Sequence, residues 1–317
     1  MDDHLEIDPD AARQYLDARS AFVALEQAAR DAAQVRGGMV WKTVKGADYL
    51  VRTSTTGAQK GLGVRSAETE AMHAQFTARK QAVTQRLSDL KATLSRHERM
   101  NRALRVGRVP NIAVDVLVAL ADAGLDSHFR VVGTHALYAY ETAAGVRLGG
   151  DVTTTLDIDL LWDTRRRVVF AERLAQQGPS MLSVLQRVDK TFQIRADQRD
   201  TAVNSRAFEV DIIRREAIED DPHPIRRSED ENDFWVVQAR RAGDLLNAPG
   251  FSEVVVAQGG RMARLSTLHP AAFVEFKRWM ADQVDRDPIK RRRDRLQADA
   301  VASLLADRLP HLDLATP

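Results

Sequence analysis

Residues 153–162 read TTTLDIDLLW and set two aspartates one position apart inside an apolar, β-prone segment. Side chains two apart on a strand share a face. Asp157 and Asp159 therefore project together, while Leu156, Ile158 and Leu160 are expected to face a core. Two carboxylates so close raise each other's pKa unless a cation lies between them. The cation that suits oxygen ligands alone is a hard divalent ion, Mg²⁺ or Mn²⁺. A third carboxylate is available in FEVDII, where Asp211 lies on the face opposite Phe208, Val210 and Ile212. Glu209 shares the face of Asp211 and is the lesser candidate. Each aspartate alone reads as an edge or loop residue in an ion pair, but D-x-D with a third strand aspartate favours a metal site.

The segment before this strand, RVVGTHAL, puts Gly133 and Thr134 where a strand gives way to a helix. Backbone N–H groups and the positive helix end at such a turn can cradle a phosphate. Thr134 taken alone reads equally as a helix cap. Together, the turn, the paired aspartates and the third carboxylate describe a site that handles phosphate with two metals.

The remaining chain supplies the scaffold. Residues 1–36 read as helix, 37–54 as a β-hairpin around Gly46, and 55–66 as a Gly-rich connection. From 67 to 102 there is no Gly or Pro, and Leu87, Leu90 and Leu94 recur at helical spacing, which predicts one long amphipathic helix fit for an arm or a homo-oligomer contact. Helix, strand and Gly turn follow, with a loop at 146–154. Further strands are expected at TFQIRAD and AFEVDIIRR, then a hairpin after Pro249 and two closing helices. This is an α+β chain with a mixed-sheet core. The expected domains are residues 1–104 (helix, hairpin and long helix), 105–247 (core) and 248–317 (C-terminal helical domain).

Composition narrows the chemistry. The 317 residues contain no cysteine, which removes disulfides, thiolate metal sites and cysteine nucleophiles. The acidic opening MDDHLEIDPD is unlike a secretory signal, and no stretch approaches the ~18 apolar residues of a membrane span. A cytoplasmic protein without membrane contact is the expectation. The net charge of +1 gives no global pull towards nucleic acid, so any such binding must be local. The run RDPIKRRRDR, with Arg286, Lys290, Arg291, Arg292, Arg293 and Arg295, is either a solvated helix face or a holder of a triphosphate or an RNA backbone. Arg165 to Arg167 read as plain surface. His135 carries little signal alone, and Trp41, Lys42 and Tyr49 read as a small patch or as a base-stacking surface.

The order Gly-Thr, D-x-D, later strand Asp resembles that of the DNA polymerase β-like nucleotidyltransferases. TTTLDIDLL is similar to the T-x-D-I-D-L strand of AbiEii-type abortive-infection toxins, and HPAAFVEFKRWMADQVDRDPIKRRRDRLQA resembles the helical tail of a related bacterial nucleotidyltransferase-fold family. The resemblance spans about residues 105–305, with Thr134 in place of the usual Ser or Gly and a longer gap between Thr134 and Asp157. It implies a nucleotidyltransferase-fold core and transfer of an NMP from an NTP, ATP included, to an acceptor hydroxyl on RNA, tRNA or protein. Asp157, Asp159 and Asp211 would then be catalytic and metal-binding, with Gly133, Thr134, Lys277 and Lys290 on the nucleotide. It also implies a toxin–antitoxin or defence setting with a cognate antitoxin as partner. Two other readings remain: a D-x-D-x-(T/V) phosphatase, for which Leu161 is the wrong residue, and a non-catalytic RNA- or partner-binding module on a degenerate fold.

Overall fold

The computed structural model describes residues 4–177, 180–216, 233 and 236–312. The chain forms two compact units, one of Met1–Ala12 with Arg105–Pro317 and one of Arg13–Leu104. It opens with strand β1 (His4–Glu6), where the sequence suggested helix, and continues as helix α1 (Pro9–Gln34). Asp8 starts that helix by accepting the backbone N–H groups of Asp10 and Ala11, and proline suits its first position.

Within Arg13–Leu104, β2 (Gly38–Val44), β3 (Ala47–Thr53) and β4 (Gln59–Val64) form an antiparallel meander. Its first turn is two residues long, with Lys45 at φ 49° and Gly46 at φ 81°, the left-handed pair that matches strand twist. Strand β4 falls in the Gly-rich stretch expected to be a connection. Its Gly61 and Gly63 bond to β3 through the backbone alone, so no side-chain alternation announces it. Helix α2 (Ala67–Ala103) follows, opened by a reciprocal Ser66–Thr69 capping box. Leu94 is buried and Leu87 and Leu90 half-buried, as the spacing predicted. Gln14 on α1 donates to Asn101 on α2 at 2.9 Å inside the same unit.

The larger unit contains α3 (Asn111–Asp122), β5 (Phe129–Val132), a 3-10 turn over Gly133–Ala136 and α4 (Leu137–Ala144). Gly145, at φ 67°, caps α4. Next come β6 (Val146–Leu148) and α5 (Gly150–Thr153), both in the stretch expected to be loop, with β6 pairing antiparallel to β1. Strand β7 (Asp157–Trp162), α6 (Arg167–Gln177), α7 (Met181–Gln186), β8 (Gln193–Ile194), β9 (Thr201–Val203) and β10 (Glu209–Arg215) complete the central part. Beyond them lie β11 (Val237–Ala239), α8 (Ala242–Asn247), the hairpin β12 (Gly250–Val256) and β13 (Met262–Leu268), then α9 (Pro270–Asp282) and α10 (Pro288–Asp307).

The central sheet runs β5-β7-β10-β9-β8, with β11 beside the second half of β10. Strand β7 is thus interior, antiparallel to β5 and parallel to β10. Burial alternates along both strands. Ile158, Leu160, Trp162, Val210 and Ile212 sink into the main core with Phe170 and Phe192, leaving the aspartates on the opposite face. Each such aliphatic side chain contributes about 1.5–3 kcal/mol on burial, so a one-residue slip that exchanged the faces is strongly disfavoured. Leu156 is a correction. It precedes the strand and is 64% exposed rather than part of this core. A second cluster joins Leu137 and Tyr140 of α4 to Phe273 of α9 and Val301 and Leu304 of α10. Among the described residues, no helix is long and apolar enough to cross a membrane.

Candidate active site

Strands β7 and β10 pair in parallel with Asp157 opposite Glu209 and Asp159 opposite Asp211. Cross-strand partners share a face, so this register alone gathers the carboxylates. Asp157, Asp159 and Asp211 each offer one oxygen within 4.8 Å of the others. The Thr155 hydroxyl donates to Asp157, and the Thr201 hydroxyl donates to Asp211 at 2.5 Å. Burial pushes the Asp159 carboxyl up to about 7, and the charges of Asp157 and Asp211 add to the effect against the pull of Lys277 and Arg286. Burial likewise raises Asp211, opposed by its Thr201 hydrogen bond. Three hard oxygen donors whose repulsion is only partly compensated fit a Mg²⁺- or Mn²⁺-sized ion. Glu209 is drawn away into an ion pair with Arg195 at 2.8 Å.

Gly133 abuts this triad. Its φ is 68°, and a Cβ built there would sit 2.2 Å from Asp159 Oδ2. Only glycine meets both demands, the left-handed backbone and the room for a carboxylate. Thr134 is buried and caps nothing. Its hydroxyl accepts from Gln297 Nε2 at 3.1 Å, and the same amide group donates to the Val152 carbonyl at 2.8 Å.

A cavity of about 420 Å³ opens beside Asp159 and Gly133. Its floor includes Leu161 and Ile213, which continue the aspartate face of β7 and β10, and α9 adds Phe276, Lys277, Trp279 and Met280. Spacings of three and four in AAFVEFKRWMADQV would put Phe273, Phe276 and Met280 on one buried stripe, and the structure corrects this. The buried positions are Phe273, Val274, Lys277 and Ala281, while Phe276 and Met280 are half-buried in the cavity wall. Lys277 is only 7% exposed and donates to Asp294 Oδ1 at 2.7 Å, while Arg286 donates to Asp294 Oδ2 at 3.0 Å. Burial lowers the Lys277 ammonium, and Asp294 and Asp159 oppose that shift. Two cations share one carboxylate, so the trio keeps one net positive charge beside Asp159.

Among the expected site residues, Gly133, Asp159 and Lys277 line this cavity and Asp157 and Asp211 complete the triad next to it, whereas Thr134 lies behind the turn. Lys290 is exposed in the first turn of α10, its backbone N–H capped by Asp287, and is not among the lining residues. The basic run divides by position: Arg286 lines the cavity, Arg293 donates to the Thr154 carbonyl, and Arg292 is exposed. Arg165 is tied to Asp163 at the surface. His135 is buried between Tyr138 and Phe208, and burial holds its imidazole down at about 4, neutral near pH 7. The sequence reading missed Asp294, Gln297 and Thr201. Asp294 interrupts the cationic run RRRDR, which was the available signal, whereas nothing local marked the other two.

Residues 111–317 match the model of a family described as Nucleotidyltransferase. No curated protein and no solved structure matches the chain.

Proposed function

The chain belongs to that nucleotidyltransferase family, and from this premise we propose that it moves an NMP from an NTP to an acceptor hydroxyl on RNA, tRNA or protein. The observation that carries the reading is the in-register pairing of β7 with β10, which sets Asp157, Asp159 and Asp211 together beside Gly133. Asp157, Asp159 and Asp211 would hold a divalent ion, which would neutralise phosphate charge and make the acceptor hydroxyl more acidic. The acceptor hydroxyl gives its proton to water and its oxygen bonds to the α-phosphorus, as the bond to the oxygen bridging to the β-phosphate breaks and pyrophosphate departs with that oxygen. Lys277 and Arg286, at the Asp159 end of the cavity, are placed to meet the charge on that leaving group. The apolar lining, with Phe276 stacked on Trp279 at 5.9 Å, suits a nucleobase. Asp157 and Asp211 lie outside the cavity lining, and our reading puts the acceptor on their side.

A toxin or defence role with a cognate antitoxin, in the cytoplasm, is the setting we infer from the likeness of TTTLDIDLL to AbiEii-type strands. The triad and its glycine argue against a degenerate, purely binding fold. The deciding experiment incubates the purified chain with each α-labelled NTP, Mg²⁺ or Mn²⁺, total RNA and cell lysate. Label should enter an acceptor only with metal and not with the Asp159→Asn variant. Failure of the wild type to label anything with any of the four nucleotides would overturn the reading.

A further inference from the structure

The unit Arg13–Leu104 carries sixteen Lys and Arg against eight Asp and Glu, a balance of +8 in a chain whose total is +1. The remainder of the chain therefore carries −7. The excess concentrates on α2, where seven Lys and Arg from Arg79 onward face only Asp89 and Glu98. Among the described residues, none of the seven is in an ion pair. Arg79, Lys80 and Arg96 bond only to neutral oxygens, of Gln34, Gly37 and Thr93. Like charges on one helix repel, and among the described residues these have no counter-ion.

Their arrangement is directional. Lys80, Lys91 and Arg102 are eleven residues apart, close to three whole turns, so they return to one side of the helix. At 1.5 Å per residue they span roughly 33 Å, the length of about ten phosphates at ~3.4 Å per strand. Arg99 lies one turn before Arg102 and widens the same face. The β2-β3-β4 sheet adds exposed side chains on the face of Tyr49. Tyr49 is 36% exposed, opposite Lys42 on β2 and Val64 on β4, with Val40 and Val64 themselves 44% and 51% exposed. An aromatic ring beside a lysine on an open sheet is a stacking platform for unpaired bases, which RNA loops and ends present. A dimer that packs this unit against itself is disfavoured, since two units of +8 repel.

We propose that the unit Arg13–Leu104 binds RNA, with α2 following the sugar–phosphate backbone along Lys80, Lys91, Arg99 and Arg102 and Tyr49 receiving an unpaired base. The binding is independent of catalysis. Where the RNA is also the acceptor of the proposed transfer, this unit is what retains it.

The test is fluorescence anisotropy of the full chain with a labelled RNA hairpin bearing a single-stranded tail, without nucleotide, between 50 and 200 mM salt. The wild type should bind, and log Kd should rise linearly with log salt. The triple variant Lys91→Gln, Arg99→Gln, Arg102→Gln removes exposed cations that hold nothing else among the described residues, so its circular dichroism and Tm should match the wild type. Its affinity should fall tenfold or more, and its salt slope should flatten by roughly 0.7–0.9 for each phosphate that is no longer neutralised. Tyr49→Ala should weaken binding to the tailed hairpin and leave a blunt duplex unaffected. Unchanged affinity in the triple variant, tighter binding of DNA of the same sequence, or a dimer that dissociates in the triple variant would each overturn the proposal. Because no NTP is present, a negative result here says nothing against transfer, and a failed labelling experiment says nothing against binding.

Discussion

Asp159 is where the fold opposes itself: a carboxylate among carboxylates, held with its pKa near 7 by burial and by Asp157 and Asp211. The unfolded chain ionises this group near its ordinary value, so between about pH 4 and 7 the metal-free folded state holds a proton that the unfolded state has lost. Stability from this residue is therefore present at low pH, falls as pH rises through that window, and is fully lost above about 7. In EDTA, Asp159→Asn should melt above the wild type at pH 8 and lose that advantage by pH 5. A difference that does not change with pH would refute the sign of the coupling. Gly133 gives a second prediction. Alanine there would strain the left-handed backbone and drive its Cβ into Asp159, so Gly133→Ala should lower kcat by a hundredfold or more in the labelling assay. Both residues were legible because the signals are local: alternation declares a shared face, and a glycine between strand and helix declares a special backbone. Leu156 misled because the same alternation does not mark where the strand begins.

The pair α9–α10 holds what local patterns miss. A stripe of Phe273, Phe276 and Met280 would leave Lys277 at its edge, but Lys277 occupies the buried stripe, four residues after Phe273 and four before Ala281. A lysine is tolerated there because Asp294, seventeen residues on, meets it at 2.7 Å. That partnership depends on how the helices pack, which no spacing within α9 reveals. Removing the shared carboxylate strands a buried ammonium, so Asp294→Ala should destabilise the fold by about 3–5 kcal/mol. NTP should then raise Tm more in this variant than in the wild type, because a triphosphate replaces the missing anion. An equal shift in both proteins would separate Lys277 from the nucleotide. Lys277→Ala should raise KM for NTP about tenfold, the effect of removing one charge-assisted hydrogen bond of ~1.5–3 kcal/mol. Arg278→Ala, on an exposed neighbour, should leave KM unchanged. The short strands β1 and β6 were illegible for a related reason: a three-residue pairing with a distant partner leaves no periodic trace.

At the scale of the whole molecule, the sequence showed an α+β chain with a helical close, and its total charge of +1 concealed a basic unit of +8. A balance averaged over 317 residues cancels what the division into units separates. The two units also have their own buried residues: Leu50, Val51 and Leu94 in Arg13–Leu104, and three clusters in the remainder. Cooperative unfolding follows shared burial, so calorimetry of the full chain should resolve two transitions rather than one. The triad and the cavity belong entirely to the larger unit. A ligand that binds only the folded state of that unit stabilises it by mass action, by ~2.7 kcal/mol at a hundred times its Kd. Adding Mg²⁺ with NTP at pH 8 should therefore raise one transition by several degrees and leave the other in place. Adding the RNA hairpin instead should raise the second. A single transition that moves with both ligands would show that the units melt as one body, and the charge division would then have no thermodynamic counterpart.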